Sequence, residues 1–537
     1  MKLSYLSRPL AILTLAALAA CGSNSSGVGP PTATPQPIVT PAGGTPLVGI
    51  GDSLTAGYQS SGFLGQANPL VTSPLSAYPG NAVPPGQENG FWSDLYVQLT
   101  GVPAASMYVP ATSPLPLIAG PGLADQLVIS EVMVGTTVIP TFANTHSACD
   151  TFNDEAYSPA TYGNTRLANT QNLDLGVPGI TMHEAVAMTG PLTGPPNAPN
   201  CGYNVLANDP TSGGLQSLVS GESALFYPVM GAYRNSVSQL TELNVAVALQ
   251  PKLATVWLGA NDVLKFSFSG GNPVASDSPT QMQADLTQII KALTAKGTKV
   301  LLADLPNVLS SPQFFPQGNR LIADLATLLT PALGSSATAA ATAISSYVAT
   351  QYGVTAGGYL TETGFLYIIQ NCSSSPTTCL TPPLDPSGTG SGLGGYYLTP
   401  AFATEVAQLN AGYNQVIDAV ATGSGPNVAL VPITATFNAL APSTTVPGSA
   451  PNLDTIQPGA PSATLQFGGN LVSWDGLHPS NLGYAVIANT FIAAADTSFG
   501  MTIPAITNAQ LNAIATTDPY NGTNISAKFG LPIFPLP

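Results

Sequence analysis

Charge is what this chain has least of. Only 7% of its 537 residues are Asp, Glu, Lys or Arg, against roughly 25% in an average soluble protein. Basic residues are the scarcer kind: 11 Lys and Arg face 26 Asp and Glu, for a formal net charge of −15. A field of that sign repels phosphate backbones and offers no basic footprint, which argues against DNA or RNA as a partner. Histidine is rarer still, with three copies, and the cysteines and histidines form no four-ligand zinc set by spacing, so no metal or other cofactor is expected. Aromatic residues make up 7%, little material for a sugar-stacking platform. Beyond the N-terminus no apolar run reaches the ~20 residues of a membrane-spanning helix. Hydrophobic residues at 44% exclude a disordered composition, and 54 Gly with 51 Pro favour long loops over a helical bundle.

The first 20 residues read as a sorting signal rather than as fold. Lys2 and Arg8 precede the apolar run Pro9 to Leu18, which is too short for a comfortable span. Its end, Leu18-Ala19-Ala20-Cys21-Gly22, resembles the lipobox of bacterial lipoproteins, in which the cysteine is acylated and becomes the new N-terminus. That resemblance implies export, with Cys21 anchored in the cell envelope. Gly22 after the cysteine points to the outer membrane. Without the signal the chain keeps 9 basic and 26 acidic residues, a net of −17. Residues 21–46, rich in Pro, Gly, Ser and Thr, form a semi-extended tether. Four cysteines remain, Cys149, Cys201, Cys372 and Cys379, an even number that suggests disulfides in an exported chain. Three pairings are open; Cys149–Cys201 and Cys372–Cys379 are favoured because each closes a loop within one excursion.

From residue 47 to about 500, strand and helix patterns alternate. Leu47-Val48-Gly49-Ile50 is a short buried strand, and Phe91, Leu95 and Leu99 mark a helix. A helix over 233–249 precedes the strand Leu253 to Leu258. Ser278-Pro279 opens a helix with Met282, Leu286, Ile289 and Leu293 on one face and Gly297 at its end, followed at once by the strand Val300 to Ala303. A helix over 400–421, the strand Val428 to Val431 and a helix over 480–494 complete the series. Strand–helix–strand at this spacing implies a parallel sheet with right-handed crossovers. The expected class is α/β, as one domain over 47–500 with a C-terminal extension over 501–537. Long Gly/Pro/Ser-rich excursions interrupt it near 59–88, 101–170, 190–230, 308–398 and 441–468, where lids or binding surfaces are expected. The apolar runs Met107 to Pro110 and Leu115 to Ile118 in the second of these would either cap the core or line a site.

Gly51-Asp52-Ser53-Leu54-Thr55-Ala56-Gly57 lies where the first strand ends, the edge at which parallel α/β sheets bind ligands. A serine there needs a base before it can act as a nucleophile. His478, in Ser473-Trp474-Asp475-Gly476-Leu477-His478-Pro479, has Asp475 three residues upstream, within reach of one turn. His146 and His183 have no acid so spaced. For a developing oxyanion, Gly179 in Leu175-Gly176-Val177-Pro178-Gly179-Ile180 offers a backbone N–H. Asn261 in Gly259-Ala260-Asn261-Asp262 offers an amide just past a strand, and Ser53 supplies its own N–H.

In this order the four blocks resemble the GDSL or SGNH hydrolases, a family named for its Ser, Gly, Asn and His. The resemblance spans most of 46–100, 171–189, 233–307 and 399–500, including Ala303-Asp304-Leu305-Pro306-Asn307-Val308. It implies a flavodoxin-like three-layer α/β/α sandwich and hydrolysis of esters or thioesters without metal. Ser53, His478 and Asp475 would be the triad, and Ser53, Gly179 and Asn261 the oxyanion hole. The spacing departs from compact members: Ser53 and Gly179 are 126 positions apart, Asn261 and Asp475 are 214 apart. That leaves the substrate open between an acyl ester and an acetylated glycan. A non-catalytic surface-binding lipoprotein is the reading of another class, and it gives no reason to retain Asp475 with His478. A membrane barrel does not fit the 59 residues after His478. Oligomeric state has no signature. Cys21→Ser is expected to move the protein from the membrane to the soluble fraction, because the tether has no apolar face; retention in the membrane pellet would refute the lipid anchor.

Overall fold

The computed structural model describes residues 44–59, 86–102, 128–134, 137–143, 172–187, 229–230, 233, 237, 241–268, 276–361, 364, 397–441, 451–466, 469–473 and 476–518. Cys21, Cys149, Cys201, Cys372, Cys379, His146, Asp475, the segment 103–120 and nearly all of the tether lie outside these residues.

Four short strands make the central sheet: β1 (Thr45–Gly51), β4 (Pro251–Trp257), β5 (Lys299–Ala303) and β9 (Val428–Val431), all parallel and in the order β1-β4-β5-β9. Most of their residues are buried, and VGI, ATVW, VLLA and VALV are the near-continuous apolar runs expected of strands covered on both faces. A less regular fifth strand lies on the other side of β1. Gly49 N–H donates to Leu173 O at 2.8 Å, Leu175 N–H to Gly49 O at 3.0 Å and Val177 N–H to Gly51 O at 3.0 Å, with Gly49 bridged in parallel to Asp174. Counted in chain order, the strands therefore run 2-1-3-4-5. This is the flavodoxin-like order, with its switch point between β1 and β4.

Helices cover both faces. On one, α1 (Phe91–Thr100) packs on β1 and on α11 (Asn481–Phe499), which also covers β5 and β9. Phe91 stacks on Phe491 at 4.6 Å between ring centroids and meets Trp257 edge-on at 5.4 Å, which joins α1, β4 and α11. On the other face lie α3 (Glu242–Leu249), α5 (Pro279–Thr294) and α8 (Pro400–Gly423), with α2 (Met182–Ala187) and α4 (Ala260–Phe268) toward the carboxyl ends of the strands. The anticipated cap is present: Ser278 Oγ accepts Gln281 N–H with Pro279 in the first turn. Thr399, which the sequence analysis did not single out, does the same for Phe402 before Pro400. Gly297, at φ +80°, sits three residues beyond the end of α5. Within the described residues, the helix expected over 233–249 is helical from Glu242.

Two of the excursions hold regular structure among the described residues. Residues 128–143 hold the antiparallel hairpin β2 (Val128–Val134) and β3 (Thr137–Ala143). Residues 314–398 hold the antiparallel strands β6 (Phe314–Pro316), β7 (Tyr359–Thr361) and β8 (Tyr397–Leu398), and the paired helices α6 (Asn319–Leu333) and α7 (Ala337–Tyr352). This insertion leans on α4 through Phe314, stacked on Phe268 at 5.8 Å. After α9 (Ile433–Leu440) and α10 (Leu453–Ile456), the last helix α12 (Asn508–Thr517) packs on α11. Asn489 pairs with both the N–H and the C=O of Ile506, and Asp518 accepts the Leu482 N–H. Residues 501–518 thus belong to the packed body. No helix of the described residues is long and apolar enough to cross a membrane.

Phe491 is wholly buried where three elements meet. Phe491→Ala is expected to destabilise the fold by about 3–5 kcal/mol, the usual range for a truncated core phenylalanine. Urea denaturation would check this, and an unchanged midpoint would mean the three elements do not share that contact.

Candidate active site

The β1–β4 switch point sets the geometry. Chain leaving β1 turns at once: Ala56 N–H donates to Asp52 O at 3.0 Å, Tyr58 N–H to Ser53 O at 2.9 Å, and Leu54 N–H to the Asp52 carboxylate at 2.9 Å. Gly51 is required here by proximity, not by its φ. A Cβ would collide with Thr55 Oγ1 and lie 2.9 Å from Trp257 O.

His478 arrives from the far end of the chain. Residues 472–473 pair with residues 478–479: Val472 is bridged to Pro479, Ser473 N–H donates to His478 O at 2.8 Å, and Gly476 N–H donates to Ser473 O at 3.1 Å. Ser480 then caps α11: its Oγ accepts Gly483 N–H at 3.1 Å and donates to Asn470 O at 2.7 Å. The imidazole is thereby fixed with Nε2 2.8 Å from Ser53 Oγ. Both side chains are mostly buried, at 7% and 8% exposure, so a rim of each stays open.

Tyr58, a residue the sequence reading passed over, stands edge-on to the imidazole at 5.0 Å. Its carbonyl accepts the Tyr484 hydroxyl at 2.7 Å, which ties the Ser53 turn to α11. Its position five residues after Ser53 was the available signal.

The two other blocks meet at the same place. Gly179 occupies a left-handed φ of +79° in a turn closed by Ile180 N–H to Val177 O, a conformation that strains any residue with a Cβ. The turn is held by a reciprocal cap on α2: Thr181 N–H donates to Glu184 Oε2 at 2.8 Å and Glu184 N–H to Thr181 Oγ1 at 3.3 Å. Asn261, in the first turn of α4, donates from Nδ2 to Ile180 O at 3.0 Å and to Asp52 Oδ2 at 3.3 Å. One amide thus clamps the Gly179 turn to the Ser53 turn, and Asp52 joins Leu54 N–H to Asn261. Asp52, unremarked at the sequence level, is 1% exposed.

The next residue along, Asp262, accepts the N–H groups of Met182 and Asp277 at 3.1 and 3.2 Å. Burial and the nearby Asp277 push its carboxyl well above the ordinary range, against the pull of those two amides. The paired Asn-Asp therefore divides its work: Asn261 reaches the site, and Asp262 fixes α2 behind it.

Two expectations need restating. His183 does face an acid: its Nδ1 lies 3.0 Å from Asp285 Oδ2 on α5, with Gln281 Nε2 2.9 Å from the same oxygen. Spacing along the chain hid that pair, since the two residues are 102 positions apart. Asp475 lies outside the described residues, so the acid side of His478 is not defined here. Among the described residues no cluster of His, Cys, Asp and Glu is arranged to hold a metal ion.

The class these features define is an α/β protein of flavodoxin-like strand order with a serine–histidine pair at its switch point. Residues 147–491 match the family described as GDSL-like Lipase/Acylhydrolase, and the chain belongs to that family. The matched span includes Gly179, Asn261, Asp475 and His478 and begins beyond Ser53. No curated protein and no solved structure matches the chain. The family makes this a hydrolytic, acylhydrolase-type domain and implies an ester as its substrate.

Gly51→Ala is expected to displace the turn and cut the reaction of Ser53 with a fluorophosphonate at least about tenfold, given how steeply reactivity depends on sub-ångström placement. Far-UV circular dichroism should stay unchanged. Undiminished labelling would mean that the turn tolerates the extra methyl.

Proposed function

We propose that the protein is a serine carboxylic ester hydrolase working through Ser53, His478 and Asp475. The observation that carries this reading is the 2.8 Å approach of His478 Nε2 to Ser53 Oγ, made by residues 425 positions apart. A hydroxyl so placed loses its proton to the imidazole as the oxygen attacks a carbonyl. Asp475, three residues before His478, is assigned to orient the ring through Nδ1 and to stabilise the imidazolium.

The oxyanion is assigned to the backbone N–H groups of Ser53 and Gly179 and to the Asn261 amide. Nδ2 already serves two acceptors; the longer bond, to Asp52, is the one an incoming oxyanion shares. His478 returns its proton to the leaving alcohol, and water repeats the sequence to release the acid.

An acyl ester is the favoured substrate, since a chain this poor in aromatic residues offers few rings on which a sugar could stack. The proposal includes export and anchorage of the enzyme in the outer membrane through acylated Cys21.

Ser53→Ala and His478→Ala are expected to reduce kcat on a p-nitrophenyl ester almost to background with the fold intact. Asp475→Asn should be severe but milder, because it orients rather than transfers. Wild-type turnover by Ser53→Ala would overturn the reading. Asn261→Ala should lower kcat by roughly 10²–10³, the usual loss for one oxyanion donor; a change confined to KM would remove Asn261 from that role.

A further inference from the structure

Beneath the Ser53 turn lie three carboxyl groups: Asp52 after β1, Asp174 in the edge strand and Glu242 at the first residue of α3. Their exposures are 1%, 1% and 0%. Their surroundings differ. Asp52 accepts Leu54 N–H at 2.9 Å and Asn261 Nδ2 at 3.3 Å. Asp174 accepts Gly176 N–H at 3.1 Å. Glu242 lies near the N–H groups of Val177 and Gly51, but neither of its oxygens reaches hydrogen-bond geometry.

The charged groups that act on Glu242 are Asp52 and Asp174, both negative. Among the described residues, the elements packed against α3 bring no compensating cation. β1 carries no titratable side chain; α2 carries His183 and Glu184, held by Asp285 and Lys265 respectively; Lys291 on α5 points to solvent. An unpaired carboxylate in such a place costs more than keeping its proton. Of the three groups, Asp52 has the donors that stabilise charge.

We propose that Glu242 is a positioning residue of the nucleophile turn, a neutral carboxylic acid whose proton leaves Asp52 as the charged acceptor linking the Ser53 turn to Asn261. The idea rests on the reading of Ser53 as nucleophile given above. Burial, then Asp52 and Asp174, push the Glu242 carboxyl well above its ordinary range, and burial does the same to Asp174. An acid raised in the folded state contributes stability that is fully present below its unfolded value and is lost as pH rises toward its folded value. Ionisation of Glu242 in alkali then sets a second charge against Asp52 and loosens the turn that holds Ser53.

The test compares the full-length wild type with the isosteric Glu242→Gln. Tm is followed between about pH 4 and 9, protonated carboxyl groups by infrared difference spectroscopy at neutral pH, and kcat and KM across the alkaline limb. The variant should fold and show a weaker protonated-carboxyl band, and its Tm should fall less steeply as pH rises. Its kcat near neutrality should stay within about twofold of wild type and persist further into alkali. Parallel Tm curves, an unchanged infrared band, or failure of the neutral isostere to fold would each overturn the proposal. So would a kcat drop of about tenfold or more at unchanged KM, since the charged form would then be the working one. If wild type hydrolysed no ester, the nucleophile reading would fall while the infrared and Tm comparisons still decided where the proton resides.

Discussion

The site depends on one constraint: the carboxyl ends of β1 and β4 must lie side by side, at the point where the strand order reverses. Ser53 follows β1 and Asn261 follows β4, with Gly51 paired to Trp257 across the two. Once that register is set, the Asn261 amide can reach both Asp52 and Ile180, and the edge strand must run beside β1 for Ile180 to be there. Slipping β4 by one residue would turn each of its side chains to the opposite face. Trp257 would then leave Phe91 and Phe491, and the contact that seats α11 would go. His478 stands just ahead of α11, so its approach to Ser53 depends on the same pairing as the Asn261 clamp.

Much of this was legible in the chain. The central strands are short apolar runs with no competing helical period, and α5, α8 and α11 announce themselves by Ser or Thr caps. The four chemical blocks were found because each needs a particular residue at a strand end. The edge strand was not recognised although Leu173, Leu175 and Val177 alternate with Asn172, Asp174 and Gly176; the run is short, and its pairing passes through only two residues of β1. Helix α7 was hidden for another reason. The inner face of α7 is largely alanine, with Ala337, Ala340 and Ala341 buried, so hydrophobicity barely varies around it and the segment reads as low-contrast loop. Clamps such as His183–Asp285 are invisible to spacing arguments, because the fold alone makes them neighbours.

The scarcity of charge also takes on a different meaning once the fold is known. Nine acidic side chains are buried among the described residues, from Asp52 to Asp518, out of 26 in the whole chain. Several accept backbone N–H groups that would otherwise be orphaned. Asp52 serves the nucleophile turn, Asp262 and Asp277 the start of α2, and Asp304 the Thr434 amide at the start of α9. A buried N–H without an acceptor costs about as much as a lost hydrogen bond, and tight turns at strand ends expose many such groups at once. The net charge of −15 therefore overstates the negative field outside the molecule. A neutral or weakly polar ester meets less repulsion at this surface than the composition alone implies, while the carboxylates that remain charged act at short range, on the amides that hold Ser53 and Asn261 in place.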